Sequence, residues 1–393
     1  MTTSGPAATP APPEPQRSKG LVVGRVAGAP VIITRSWFLA AFVLTILFVP
    51  NVQALAPQLG AGAYLVAFVF VLLLFGSVFL HETAHALMAR ARGQKVTELA
   101  ITLWGGHTAY TGGLGRPLDG FLVAVVGPLT NLALAAAFWI PYSASPVLDV
   151  PTLLLYAAAY SNALVGVFNL LPGLPLDGGQ ILESLVWAVT GKRTKGTVAA
   201  GWVGRVVAVG VLLWALVIPM LAGDPPRITF VVLSALIGAF LWAGAGAAIA
   251  SGRRREAIDR LSASGLAVPA LTVPLGSTVA DALSARATAV AANAASASYR
   301  LVVVGNGDVP VAVLDDDAVA TVPVSAQQST QVDAVAVPFV PGSAVPPGMA
   351  GTDLLNHLAQ RSRGARLVPV VDAGRVTGVL DLADVARAVR AKA

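Results

Sequence analysis

The stretch FLHETAHALMAR, Phe79–Arg90, closes an apolar run that begins near residue 62. A helix over 62–88 is long enough to cross about 30 Å of hydrocarbon. His81 and His85 stand four residues apart and so share one helix face, where both imidazoles can reach a single ion. Glu82, about 100° around the helix, can reach a water beside that ion and act as a base. An ionisable side chain at mid-bilayer costs about 2.5–3.5 kcal/mol, so a chemical use is expected for the cluster. The alternative is a pair of core histidines hydrogen-bonded to their neighbours.

The whole chain fits that setting. Of its 393 residues 55% are hydrophobic and only 12% charged, with a mean hydropathy of +0.73, whereas soluble domains carry about a quarter charged residues. Apolar runs near 36–52, 62–88, 118–140, 152–188, 200–222 and 228–250 predict six spans. Arg25, Arg35, Arg90, Arg92, Lys95, Arg116, Lys192, Arg193, Lys195 and Arg253–Arg255 all fall on the side of the N-terminus, and the outer loops carry only Arg227. The positive-inside rule then places both termini in the cytoplasm, and the net charge of +6 reflects orientation in the plasma membrane, not nucleic-acid binding. Residues 1–20, rich in Pro, Ala, Thr and Ser, read as a disordered tail and not as a signal peptide.

Two histidines leave a catalytic zinc site short of a ligand, since such sites have three protein ligands and an open position. The chain has no cysteine, and His107 and His357 lie outside the spans, so the third ligand is sought among carboxylates. Asp177 stands in FNLLPGLPLDGGQILESLVW (168–187), where Pro172, Pro175, Gly178 and Gly179 interrupt the fourth span. Broken backbone at membrane depth persists only where protein buries it or water reaches it, and water is a reactant in hydrolysis. His107 is not assigned as a fourth ligand, which would close the site to water. Its segment, KVTELAITLWGGHTAYTGG (95–113), mixes β-formers with paired glycines and reads as a hairpin dipping into the cytoplasmic leaflet. The hairpin's edge either pairs with unwound substrate or merely anchors the chain through Trp104 and Tyr110.

HETAH in one span together with N-x-x-P-x-x-P-L-D-G-G (169–179) in a later one resembles the site-2 protease family of intramembrane zinc metalloproteases. GRVAGAPVIITRSW (24–37), WGGHTAY (104–110) and GPLTN (127–131) are similar to the branch of that family with a C-terminal pair of cystathionine-β-synthase (CBS) domains. The resemblance implies that His81, His85 and Asp177 bind one zinc ion, that Glu82 activates water, and that Asn169 contacts the substrate backbone or the developing oxyanion. It also implies substrates such as membrane-anchored anti-sigma factors or other regulators. Asn131, Gly127 and Pro128 are read as helix-packing residues, with Asn131 alternatively orienting a metal ligand.

After GRRREAIDRL (252–261) the composition changes to short valine-rich strands. LVVVGNGDVPVAVLDDDAV (301–319) and LVPVVDAGRVTGVLDLADV (367–385) align without a gap, and each is preceded by a helix. This tandem resembles a CBS pair, whose relatives bind adenine nucleotides and associate as dimers. Asp384 matches a ribose-contacting position, but the first repeat has Ala318 there, and Asp315 and Asp381 replace hydroxyl residues. Carboxylates facing phosphates are unfavourable, so at most one nucleotide site is expected.

The expected architecture is therefore a disordered tail (1–20), an α-helical six-span membrane metalloprotease domain (21–252), a linker (253–265) and a soluble α/β tandem CBS domain (266–393). Its partners are transmembrane substrates, the lipid bilayer and a second copy through the CBS domains. A CBS-gated transporter or channel is the rival reading, set back because the ionisable groups are confined to the second and fourth spans.

Overall fold

The computed structural model describes residues 18–391 except 104, 113, 146, 148, 224, 227 and 295–297. The tail reading for residues 1–17, Trp104 and Arg227 thus lie outside the described residues, while Ser18 and Lys19 lead directly into a strand. The chain divides into two compact units, Met1–Ile249 and Ala250–Ala393.

In the first unit β1 (Gly20–Val26) and β2 (Ala29–Thr34) form a hairpin. Its two-residue turn has positive φ at both Ala27 and Gly28, a turn that follows the natural twist of paired strands. Helices α1 (Arg35–Leu55) and α2 (Gly62–Ala91) follow, then β3 (Lys95–Thr102) and β4 (Gly105–Thr111), the hairpin expected over 95–113. The remaining helices are α3 (Pro117–Ser143), α4 (Val150–Asn169), α5 (Asp177–Thr190), α6 (Arg193–Leu221) and α7 (Ile228–Asp259). All but α5 are long and apolar enough to cross a bilayer, and the chain is a multi-pass membrane protein. The four strands lie in the order β1-β2-β3-β4, with β2 and β3 parallel and the outer pairs antiparallel. Val31, Val96 and Leu99 pack the sheet onto Ala86 of α2.

The expected fourth span, 152–188, is two helices. Pro172 lacks a backbone donor and disfavours helix at the residue before it, so α4 stops at Asn169, and the chain makes a loop with a cis Leu174–Pro175 peptide before α5 begins at Asp177. The loop folds tightly back on its surroundings. A Cβ on Gly178 would stand 2.3 Å from the carbonyl oxygens of Leu170 and Leu171, and one on Gly204 of α6 would stand 2.1 Å from that of Leu174. Gly166 of α4 abuts Pro128 and Leu132 of α3, and Gly120 near the start of α3 abuts Ser184 of α5. The two half-helices therefore lie end to end along α3, with the break at the level of Gly127.

The second unit is an α/β unit built as two repeats, the layout expected of the tandem. It contains α8 (Ala263–Leu266), β5 (Val268–Pro274), α9 (Val279–Ala292), β6 (Arg300–Val304), β7 (Pro310–Leu314), α10 (Asp316–Thr321), β8 (Ala336–Pro338), α11 (Gly351–Arg361), β9 (Leu367–Asp372), β10 (Arg375–Asp381) and α12 (Leu382–Ala391). One six-stranded sheet, β8-β7-β6-β5-β10-β9, joins the repeats, with hairpins β6–β7 and β9–β10 as the equivalent parts. β5 runs parallel to β6, and its counterpart in the second repeat is reduced to a single parallel bridge, Val345 to Val370. Residues 253–265, expected as a linker, are helical through Asp259 and again over Ala263–Leu266.

Replacing Gly204 with alanine should overpack the α6–loop contact at a cost of about 1–3 kcal/mol. Thermal melting of the purified protein should show a midpoint several degrees lower. Gly210→Ala on the same helix, with nothing within 4 Å of its added Cβ, serves as the neutral control. Equal midpoints for the two variants would show that the loop does not need that close approach.

Candidate metal centre

His81 and His85 lie in α2, His81 ten residues before its end at Ala91, which is about 15 Å along the axis. Asp177 is the first residue of α5, where the helix dipole favours a carboxylate. The break in the fourth span brings it between the imidazoles: Oδ2 is 3.1 Å from His81 Nε2 and 3.4 Å from His85 Nε2, and the two Nε2 atoms are 3.0 Å apart. Room for the two rings comes from α3, because a Cβ on Gly127 would stand 2.3 Å from His85 Nε2 and 2.7 Å from His81 Cε1.

The far side of each ring decides what these three atoms can do. His81 Nδ1 meets Asn131 Oδ1 at 2.5 Å and His85 Nδ1 meets the Val123 carbonyl at 2.6 Å. Both partners are acceptors, so each imidazole donates from Nδ1, and in the neutral ring the lone pair on Nε2 faces its neighbour and the carboxylate. The amide of Asn131 is itself oriented, donating to Asn162 Oδ1 (2.9 Å), while Asn162 donates to Ser77 Oγ (3.0 Å) and to the Ala158 carbonyl (2.8 Å). In their neutral form the two rings and the Asp177 carboxylate thus turn three acceptors toward one point in a buried site, a donor set that a single cation can bridge. Their separations are close to the roughly 3.3 Å between tetrahedral ligands about 2.0–2.1 Å from one centre. The donor set, two nitrogens and one oxygen, suits zinc.

A cavity of about 440 Å³ opens on this cluster, lined among others by Glu82, Asn169, Thr108, Tyr110 and Gln180. Glu82 is buried beside the ligands, and Asn169, the last residue of α4, reaches the same cavity half-buried. His107 also lines it but pairs with Glu98 at 3.4 Å and takes no part in the cluster. Burial pushes the Glu98 carboxyl up, yet hydrogen bonds from the backbone and hydroxyl of Ser18 and from His107 hold it below the ordinary value. Thr108, Asn162 and Ser77 were not singled out in the sequence, where isolated Thr, Asn and Ser carry no distinguishing pattern. Asn131, read there mainly as a packing residue, orients His81.

In the second unit a cavity of about 590 Å³ is lined by Arg300, Asp315–Asp317, Arg366 and Asp381, among others. Arg300 pairs with Asp316 and Arg366 with Asp381. Burial pushes the Asp381 carboxyl up, but the Arg366 guanidinium and the Ala383 N–H hold it below the usual range. Asp384 is not among the residues lining this cavity; it faces Arg387 at 3.0 Å in the first turn of α12.

Residues 147–213 match the model of peptidase family M50. Two proteins, each named "Putative zinc metalloprotease", are similar to the chain. One from Synechocystis is 31% identical over 63% of this chain and 64% of its own length. Rip3 of Mycobacterium tuberculosis is 29% identical over 93% and 91%. The chain thus spans just under two thirds of the cyanobacterial relative and nearly all of the mycobacterial one. The site-2 protease from Methanocaldococcus jannaschii aligns structurally at 22% identity, over 59% of this chain and 95% of that one, with a TM-score of 0.41.

If the Asn131 amide holds His81 in its ligating tautomer, Asn131→Ala should weaken zinc binding about 10–100-fold. Competition of the purified protein against a chromogenic chelator measures this, and an unchanged affinity would remove Asn131 from the site.

Proposed function

We propose that the chain is a site-2-protease-like zinc metalloprotease that hydrolyses peptide bonds within transmembrane segments of membrane-anchored regulatory proteins, anti-sigma factors among them, as its similarity to peptidase family M50 and to two proteins named as zinc metalloproteases supports. The observation that carries this reading is the convergence of three candidate ligand atoms from His81, His85 and Asp177 in a cavity that Glu82 also lines. Zinc held there supplies Lewis acidity toward the scissile carbonyl and acidifies water. The Glu82 carboxylate takes the proton of the attacking water as its oxygen adds to the carbonyl carbon. It then returns that proton to the amide nitrogen as the C–N bond breaks, giving a carboxylic acid, which loses its proton to solvent, and an amine. The Asn169 side-chain amide donates to the carbonyl oxygen as negative charge develops on it.

A substrate helix hides its carbonyls in internal hydrogen bonds and must unwind before one reaches the metal. The outer edge of β4, the last strand of its sheet, runs beside the cavity through Gly105–Thr108 and Tyr110. Extended substrate can pair with that edge and keep its backbone groups satisfied. The distribution of Lys and Arg supports a cytoplasmic position for both termini and the CBS pair, with cleavage near the cytoplasmic face.

The CBS pair modulates activity or assembly in this reading, and a homodimer through it is the expected oligomer. Four carboxylates around its cavity disfavour phosphate groups, and the two arginines there are already paired. AMP titrated onto the purified chain should saturate at no more than one equivalent, as calorimetry would show; two equivalents would mean that the carboxylates do not exclude phosphate.

Glu82→Gln should retain zinc by elemental analysis and lose cleavage of a transmembrane reporter by at least about 100-fold. Comparative proteomics of membrane fragments from cells carrying either form would identify the substrate. Full activity of the variant would refute the base assignment.

A further inference from the structure

Glu82 sits on a helix, but what holds its carboxylate is a strand. In β4 alternate residues share a face, and Gly106, Thr108 and Tyr110 all line the cavity. The Thr108 hydroxyl lies 2.8 Å from Glu82 Oε2 and 3.2 Å from the Glu82 carbonyl oxygen. Two residues earlier in the strand the backbone comes so close that a Cβ on Gly106 would stand 2.3 Å from Glu82 Cγ and 3.0 Å from Oε1. The carboxylate is thus gripped on one oxygen by a hydroxyl and covered along its stem by bare backbone.

The strand that does this is itself fixed. Thr108 pairs with Leu99 and Gly106 with Ile101 of β3. Leu99 is buried against Ala86 of α2, and Ile101 against Ala40 and Ala41 of α1 and Phe75 of α2. Resting on the reading of Glu82 as the base, we propose that Thr108 is a positioning residue for Glu82, with Gly106 as the space that lets β4 approach. The physical need is specific. A flexible carboxylate next to a divalent cation is drawn onto it and lost as a base. A hydrogen bond to β4 ties one oxygen to the sheet and leaves the other to receive the proton of water. Misplacing a catalytic group by about 1 Å can cost on the order of 100-fold in rate.

Thr108→Val removes the hydroxyl at constant shape, and Thr108→Ser restores it. On a transmembrane reporter Thr108→Val should lower kcat about 10–100-fold with KM within about twofold of wild type, and Thr108→Ser should recover most of the loss. A raised KM with unchanged kcat would make Thr108 a substrate-binding residue and overturn the proposal, as would full activity. A second readout is independent of turnover: Thr108→Val should lower the melting midpoint by about 2 °C more in the wild type than in a Glu82→Ala background, where only the contact to the carbonyl oxygen of residue 82 remains. An equal shift in both backgrounds overturns the proposal. A wild-type protein that cuts no transmembrane reporter would sink the proteolytic reading, and the melting cycle would still decide the contact.

Discussion

Two imidazoles and a carboxylate converge in a buried site, and most of the membrane unit is arranged around that cluster. His81 and His85 come from adjacent turns of α2, so their alignment needs nothing beyond helical periodicity. Their tautomers need partners, and α3 supplies both: Asn131 for one ring and the Val123 carbonyl for the other. The carboxylate has to arrive from elsewhere in the chain. It does so because the fourth span is broken, which turns a mid-membrane position into a helix N-terminus where Asp177 is electrostatically favoured.

Small residues make this geometry accessible. Gly127 makes room for the imidazoles, Gly178 for the turn before α5, Gly204 for the loop against α6, and Gly106 for β4 against Glu82. In lipid, where helix association gains little from the hydrophobic effect, such close approaches carry the packing. They also bring the site together, since each glycine lies against His81 and His85, Glu82 or the loop that leads to Asp177. The helices carry the proposed metal ligands and the sheet contacts the proposed base, so the two parts of the candidate site rest on two kinds of scaffold.

The second unit shows what duplication leaves behind when its halves diverge. Both repeats keep the hairpin and the following helix, but the first retains a full parallel strand, β5, where the second keeps one bridge at Val345. The cavity between them gathers Arg300 and Arg366, neighbours of matching positions in the two hairpins, and pairs each with an aspartate. Asp384, marked by its position in the repeat, is turned instead to Arg387 on its own helix.

Periodicity and composition alone determined a great deal here. Long apolar runs, the four-residue spacing of His81 and His85, and the prolines and glycines around Asp177 are local signals, because helix geometry and backbone restriction act over a few residues. The six spans, the break, the tandem repeat and the candidate ligands were therefore legible. The length of the fourth span was not, since the pattern of apolar residues continues across a break that Pro172 and the close glycines impose. Asn131 was legible only as one of two alternatives, and the roles of Asn162 and Thr108 were not, since their meaning lies in what they face 31 and 26 residues away along the chain. A hydrogen bond between distant segments has no period to detect; only the packed helices and the sheet brought those groups to the rings and the carboxylate they hold.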